Sequence, residues 1–195
     1  MLENLSKYKI VLASNSPRRR ELLAGLDIDF EVKTIPDIEE SYPDTLEKEE
    51  IPVYIAKQKA QAYYKYLKEN TLLITADTIV WLERNVYGKP ENEAEAKEML
   101  RILSGKTHEV ITGVCLTGLK KQQSFYVASQ VKFAKLEEAE IDYYVKKYKP
   151  YDKAGAYGVQ EWIGYIGVEK IEGSFYNVMG LPVRALYTYL KEWNY

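Results

Sequence analysis

Hydrophobic residues along this chain recur now with a period of two and now with a period near 3.6, and each switch marks an element boundary. An apolar run over 8–13 predicts a buried first strand. Ser16 then stands as an N-cap, Pro17 suits the first helical position, and Gly25 stops the helix predicted over 17–25. A short strand is predicted over 30–34. Residues 36–52 are acid-rich with three prolines, so they read as a loop before a helix. Val53, Ala56, Ala60, Tyr63, Tyr64 and Leu67 recur at helical spacing and predict a helix over 53–69, with Tyr63, Tyr64 and Tyr66 as packing residues. Residues 71–82 alternate and are rich in β-branched side chains, which predicts a strand turning near Glu83-Arg84-Asn85 into a second one.

Acids open and Ser104-Gly105 closes a predicted helix over 91–103. Strands over 109–119 and 124–134, joined by a turn at 118–123, form a hairpin, and a helix follows over 137–147. Residues 152–160 are rich in glycine and alanine and read as a close-approach loop; a strand is expected over 164–171. Leu181-Pro182 opens a terminal helix that runs to about Trp193. Strands alternating with helices, plus one hairpin, predict an α/β fold with a mixed sheet. The 195 residues suffice for one domain, or for two small lobes around a cleft, the natural place for a site.

Composition narrows the function. At 46% hydrophobic and 29% charged the chain reads as globular and soluble, and a net charge of −2 argues against binding a nucleic-acid polymer. No apolar run approaches the roughly 20 residues of a membrane span. The first residues lack a signal-peptide pattern, so a cytoplasmic location is expected. One cysteine, Cys115, permits no internal disulfide and reads as core filler, though its type leaves a nucleophile formally open. One histidine, His108, rules out histidine-rich metal sites and reads as structural or superficial. With 18 tyrosines, the surface would suit a homodimer.

Several constellations point to anion chemistry. Arg18, Arg19 and Arg20 fill a first helical turn, where exposed cations oppose the macrodipole by roughly 0.3–1 kcal/mol each. Such a turn either holds a phosphate or is simply solvated. Asp77 lies in the apolar strand Ala76-Asp77-Thr78-Ile79-Val80, where a charge costs several kcal/mol unless paired. It is a metal ligand, a general base, or a carboxylate satisfied by backbone at a strand bend. Lys89 in Gly88-Lys89-Pro90 is held for phosphate or marks a surface turn, and Lys57 and Lys59 must face different sides of their helix. Glu39-Glu40 suit Mg²⁺ or Mn²⁺, or solvent. In the 152–160 loop Tyr157 can stack on a base and Gln160 can read its edge; Gly173 to Pro182 forms a second glycine-bounded loop with a potential anion contact. Together these features describe a site for a nucleotide with metal-bound phosphates, without a Walker pattern.

The motifs L-A-S-N-S-P-R-R-R-E-L-L (12–23), A-D-T-I-V (76–80), G-K-P (88–90), L-S-G-K-T-H-E-V-I-T (103–112), D-K-A-G-A-Y-G-V-Q (152–160) and G-S-F-Y-N-V-M-G-L-P (173–182) resemble, in order, those of the Maf family. These are nucleoside triphosphate pyrophosphatases, some first described as septum formation inhibitors. The resemblance implies a single α/β domain over 1–195 with flanking helices, two lobes and a twisted sheet, similar to inosine triphosphate pyrophosphatase. It implies hydrolysis between the α and β phosphates of a nucleoside triphosphate, with a divalent metal (Mg, Mn or Co). It assigns Asp77 as proton acceptor, Ser14, Arg18, Arg19, Lys59 and Lys89 as phosphate-side groups, and Glu40, beside Asp77, as a metal-site acid. Arg18, Thr78 and Gln160 match positions linked to substrate choice, in the form that resembles the dTTP and UTP subgroup. The alternatives are a purine substrate such as 7-methyl-GTP, or a non-catalytic nucleotide-binding regulator of septum formation. One departure stands out: Glu161-Trp162 follow Gln160, where the family often has glycine.

Overall fold

In the computed structural model, which describes residues 2–36, 38 and 40–194, the first apolar run forms β1 (Lys9–Leu12), buried from Ile10 onward. α1 (Pro17–Ala24) begins as its residues dictate: the Ser16 hydroxyl accepts from the Arg19 amide, Pro17 fills the first turn, and Gly25 closes the helix. β2 (Glu31–Val32) is brief. α2 (Glu50–Tyr63) starts ahead of the apolar periodicity because Pro52 falls in its first turn, where the missing N–H had no helical partner to lose. It also ends early. The backbone tightens into a 3-10 turn over Tyr64–Tyr66, which leaves Tyr64 and Tyr66 exposed instead of packed. Tyr63 keeps the expected inward place; its hydroxyl accepts from the Ile35 amide and donates to the Lys33 carbonyl.

β3 (Thr71–Leu82) spans its expected residues and returns through Glu83 and Arg84, both at positive φ, as β4 (Asn85–Tyr87). α3 (Glu93–Leu103), β5 (Thr107–Thr117), β6 (Gln122–Phe133) and α4 (Glu138–Tyr148) fall within a few residues of expectation. Asn92 caps α3 by accepting from the Glu95 amide, and Glu137 and Glu140 form a capping box on α4. The expected strand over 164–171 is corrected: α5 (Trp162–Gly167) precedes β7 (Val168–Glu172). Ile163 and Gly167, one helical turn apart, both face inward, a periodicity that the aromatic and β-branched composition masked. The glycine-bounded loop likewise holds a short helix, α6 (Phe175–Met179), started by Ser174 Oγ accepting from the Asn177 amide at 3.2 Å. α7 (Val183–Lys191) follows Pro182.

The strands form one seven-stranded sheet in the order β2-β1-β3-β5-β6-β7, with β4 paired to β3. β1 runs parallel to β2 and β3, whereas β4 and β7 run antiparallel to β3 and β6, so the sheet is mixed as predicted. The chain divides into two compact units. One comprises Met1–Asp77, Thr112–Val127 and Gly180–Tyr195. Its core includes Val11, Ala56, Ala60, Tyr63, Leu73 and Cys115, the last fully buried as core filler. α2 rides directly on the sheet there: Thr75 Oγ1 donates to the Ala56 carbonyl at 2.7 Å, and a Cβ on Gly113 would lie 2.4 Å from the Pro52 backbone. The other unit comprises Thr78–Ile111 and Ala128–Met179. Leu100, Leu103, Phe133, Tyr144, Tyr157 and Ile163 anchor its core. Ion pairs Lys97–Asp142 at 2.7 Å and Arg101–Glu138 at 2.8 Å link α3 to α4. Among the described residues no helix is long and apolar enough to cross a membrane.

Candidate active site

Asp77 stands in a run of buried residues on β3, where a charge needs a partner. α2 provides it. Lys59 Nζ donates to Asp77 Oδ1 at 2.8 Å and lies 3.0 Å from Glu40 Oε1. The Lys59 and Asp77 side chains are only 11% and 10% exposed, whereas Glu40 is 40% exposed. Lys57, two residues and so roughly 200° round the helix from Lys59, is exposed, as the spacing required. Thus one buried ammonium gathers two carboxylates from a strand and a loop.

The start of α1 borders this group. Ser14 is buried, and its Oγ accepts from the Ser16 amide at 3.2 Å. Arg19 Nε donates to the Gly180 carbonyl at 2.8 Å. Burial pulls the Arg19 guanidinium below its ordinary value; Asp77 pulls it back up, Arg18 lowers it, and Glu40 raises it. Arg19 therefore sits in the field of both carboxylates with a second guanidinium beside it, and no acid of α1's own first turn offsets them. The loop before α7 meets this group through the Gly180 carbonyl, an acceptor that orients Arg19. Glu39 lies outside the described residues.

Thr78, Lys89 and Gln160 belong to the second unit. Thr78 follows Asp77 on β3 and is half-buried. Lys89 is exposed just past β4. The Gly88 carbonyl accepts from the Gly155 amide at 3.0 Å, which ties the Gly88-Lys89-Pro90 turn to the 152–160 loop. Gly155 has φ +68, and a Cβ there would meet Val80 at 2.8 Å, so only glycine lets this loop press on β3. Gln160 is half-buried, and its Oε1 is buried with no hydrogen-bond partner among the described residues. A buried acceptor without a partner needs an explanation, and a ligand donor is one. Tyr157 is corrected: it is buried against Phe133 and His108, with Oη 2.7 Å from His108 Nε2, and is not available to stack on a ligand. His108 is thereby the structural residue expected. Asn177 is a brace, its Nδ2 donating to the Val110 carbonyl and to Ser129 Oγ, each at 3.0 Å.

Sequence reasoning gave no role to Lys153, Tyr144 or Glu161, which form a buried polar group beside Gln160. The legible signals were a lysine set among small residues in a close-approach loop and an acid at an unexpected position. Within the first unit, Ser14, Arg18, Arg19 and Lys59 can bind a polyanion through hydroxyl, guanidinium and ammonium groups, with the Asp77 and Glu40 carboxylates near it.

The Maf-like protein family model matches residues 9–193. A dTTP/UTP pyrophosphatase of Phocaeicola vulgatus is 65% identical over 192 residues, covering 98% of this chain and 100% of that protein. Another, of Parabacteroides distasonis, is 65% identical over 191 residues, covering 98% and 99%. Among solved structures, a HAM1 protein from Coxiella burnetii gives a TM-score of 0.51 at 20% identity, over 95% of this chain and 100% of that one, a likeness of fold alone. The end-to-end family match, together with relatives this similar over their whole length, shows that the chain belongs to the Maf family.

Proposed function

We propose that this chain is a nucleoside triphosphate pyrophosphatase that hydrolyses dTTP and UTP to the monophosphate and pyrophosphate, acting in the cytoplasm. The observation that carries the reading is the Asp77–Lys59–Glu40 group, with Arg19 in its field. Its relatives' names supply the substrates. In this reading Ser14, Arg18, Arg19, Lys59 and Lys89 hold the phosphates. Water attacks the phosphorus at the α–β junction, the bond from that phosphorus to the bridging oxygen breaks, and pyrophosphate leaves with the electron pair. Asp77 takes the water's proton, a role worth roughly 10²–10⁴-fold. The cationic side chains stabilise the charge that develops on the phosphates. Thr78 and Gln160 face the nucleoside.

The same group suits a divalent cation. Two carboxylates already converge on one cationic nitrogen, and hard oxygen donors fit Mg²⁺, Mn²⁺ or Co²⁺. Among the described residues no set of three His, Cys, Asp or Glu side chains is gathered to hold an ion. Glu40 and Asp77 would therefore supply the protein ligands and the triphosphate and water the others, as Mg²⁺ sites usually do. Bound there, the ion supplies Lewis-acid charge to the phosphate oxygens.

The test is pyrophosphate release from a panel of nucleoside triphosphates with each metal, wild type beside Asp77→Asn. We expect turnover of dTTP and UTP, its loss with chelator, and a fall of at least about 10²-fold in the folded variant. Full activity of Asp77→Asn overturns the base. Turnover of a purine alone overturns the base selectivity, and no turnover at all favours a binding regulator.

A further inference from the structure

Beside Gln160 lies a buried polar network that the proposed chemistry leaves unused. The Glu161 carboxylate accepts a short hydrogen bond from Tyr144 Oη and lies 3.1 Å from Lys153 Nζ. Tyr144 Oη also accepts from the Gly158 amide at 3.0 Å, and Lys153 Nζ reaches Asp152 Oδ1 at 2.8 Å. The Lys153 side chain is 8% exposed and that of Glu161 20%. Burial, then the Glu161 charge, pushes the Tyr144 phenol far above its ordinary value, so it stays a donor.

The network closes on Gly158. A Cβ there would lie 2.8 Å from Glu161 Cδ and 3.1 Å from Lys153 Cε, so the acid and the lysine are seated against bare backbone. The Glu161 amide donates to the Gly158 carbonyl at 2.9 Å. Both ends of the turn from Gly158 to Glu161 are thus bonded to one phenol and to each other. Within that turn Val159 is buried in the core, and Gln160 holds the buried, unpartnered Oε1. Replacing buried ion pairs by apolar groups is often neutral or stabilising, so stability alone gives little reason for this one. Holding a carboxamide to within about 0.5 Å for paired hydrogen bonds does give a reason.

Building on the pyrophosphatase reading, we propose that Glu161, with Tyr144 and Lys153, is a positioning residue that fixes the Gln160 carboxamide against the substrate's base. The acid that departs from the family pattern is then a brace for base selection and does not fill the pocket.

The experiment measures melting temperature, kcat and KM for dTTP and dCTP in wild type, Glu161→Gln, Tyr144→Phe and Gln160→Ala, and in Glu161→Gln combined with Gln160→Ala. In Glu161→Gln and Tyr144→Phe the KM for dTTP rises on the order of 10- to 100-fold while kcat moves much less, and preference for dTTP over dCTP shrinks about tenfold. In the Gln160→Ala background, Glu161→Gln changes neither quantity further, which a merely structural acid would not produce. Folded variants with wild-type KM and preference overturn the proposal, as do additive effects in the double variant. Should Tyr144→Phe fail to fold, the isosteric Glu161→Gln decides alone. Wild type inactive on both dTTP and UTP overturns the underlying reading as well; active wild type with unaffected variants overturns only the positioning role.

Discussion

At the scale of single residues, two buried ionisable groups meet the same cost in opposite ways. Asp77 is paired with Lys59 at 2.8 Å. His108 gives its charge up: burial lowers it from 6.5 to about 4, so the ring is neutral against Tyr157 at neutral pH. In the unfolded chain His108 takes a proton as pH falls through its ordinary range, while the folded protein resists until about pH 4. Between those values the unfolded state binds more protons, so stability is full above about pH 6.5 and drains away as pH is lowered. Urea unfolding at pH 7 and pH 5 checks this. Wild type should lose about 2 kcal/mol more over that interval than His108→Gln. Parallel losses in the two proteins would remove the assignment.

At the scale of elements, α2 is seated close against the backbone of β5 at Gly113. The atoms nearest a Cβ on Gly113 are the Pro52 and Val53 backbone, at 2.4 Å, and backbone of a packed helix cannot step aside. Gly113→Ala should therefore cost about 3 kcal/mol of stability by denaturant titration. Gly88→Ala, with nothing within 4 Å of its Cβ, should stay within about 0.5 kcal/mol of wild type. The failures of sequence reading belong to this scale too. α1 was legible because Ser16, Pro17 and Gly25 each serve one role, and β3 because its apolar, β-branched run is long and ends at the Glu83-Arg84-Asn85 turn. α2 began unseen because Pro52 reads equally as a loop end and as a first-turn residue. α5 was hidden because Trp162, Ile163, Tyr165 and Ile166 favour strands, and the close approach of Gly164 to the Val159 carbonyl, five residues back, leaves no mark on periodicity.

For the molecule as a whole, local pattern foretold a mixed sheet with helices between strands, and motif order foretold the family. The long-range side-chain pairings were out of reach. Lys59 and Asp77 are 18 residues apart, His108 and Tyr157 are 49 apart, and no periodicity links such positions. Where polar side chains meet is decided by how elements stack, so sequence named Asp77 and Lys59 separately and missed the Tyr144–Glu161 bond altogether. The chain's slight net negative charge of −2 agrees with a ligand gathered by local cations instead of a long basic surface.

Cys115 lends this chain a practical use. The thiol is walled off in the first unit's core, burial raises its pKa, and the sequence holds no other cysteine. A disulfide reagent added to the native protein must wait for the core to breathe, so its reaction trace is a clock for opening events. One equivalent should react promptly in denaturant and far more slowly in buffer. Any nucleotide that binds the first unit should slow the clock further, an assay of occupancy that needs no turnover.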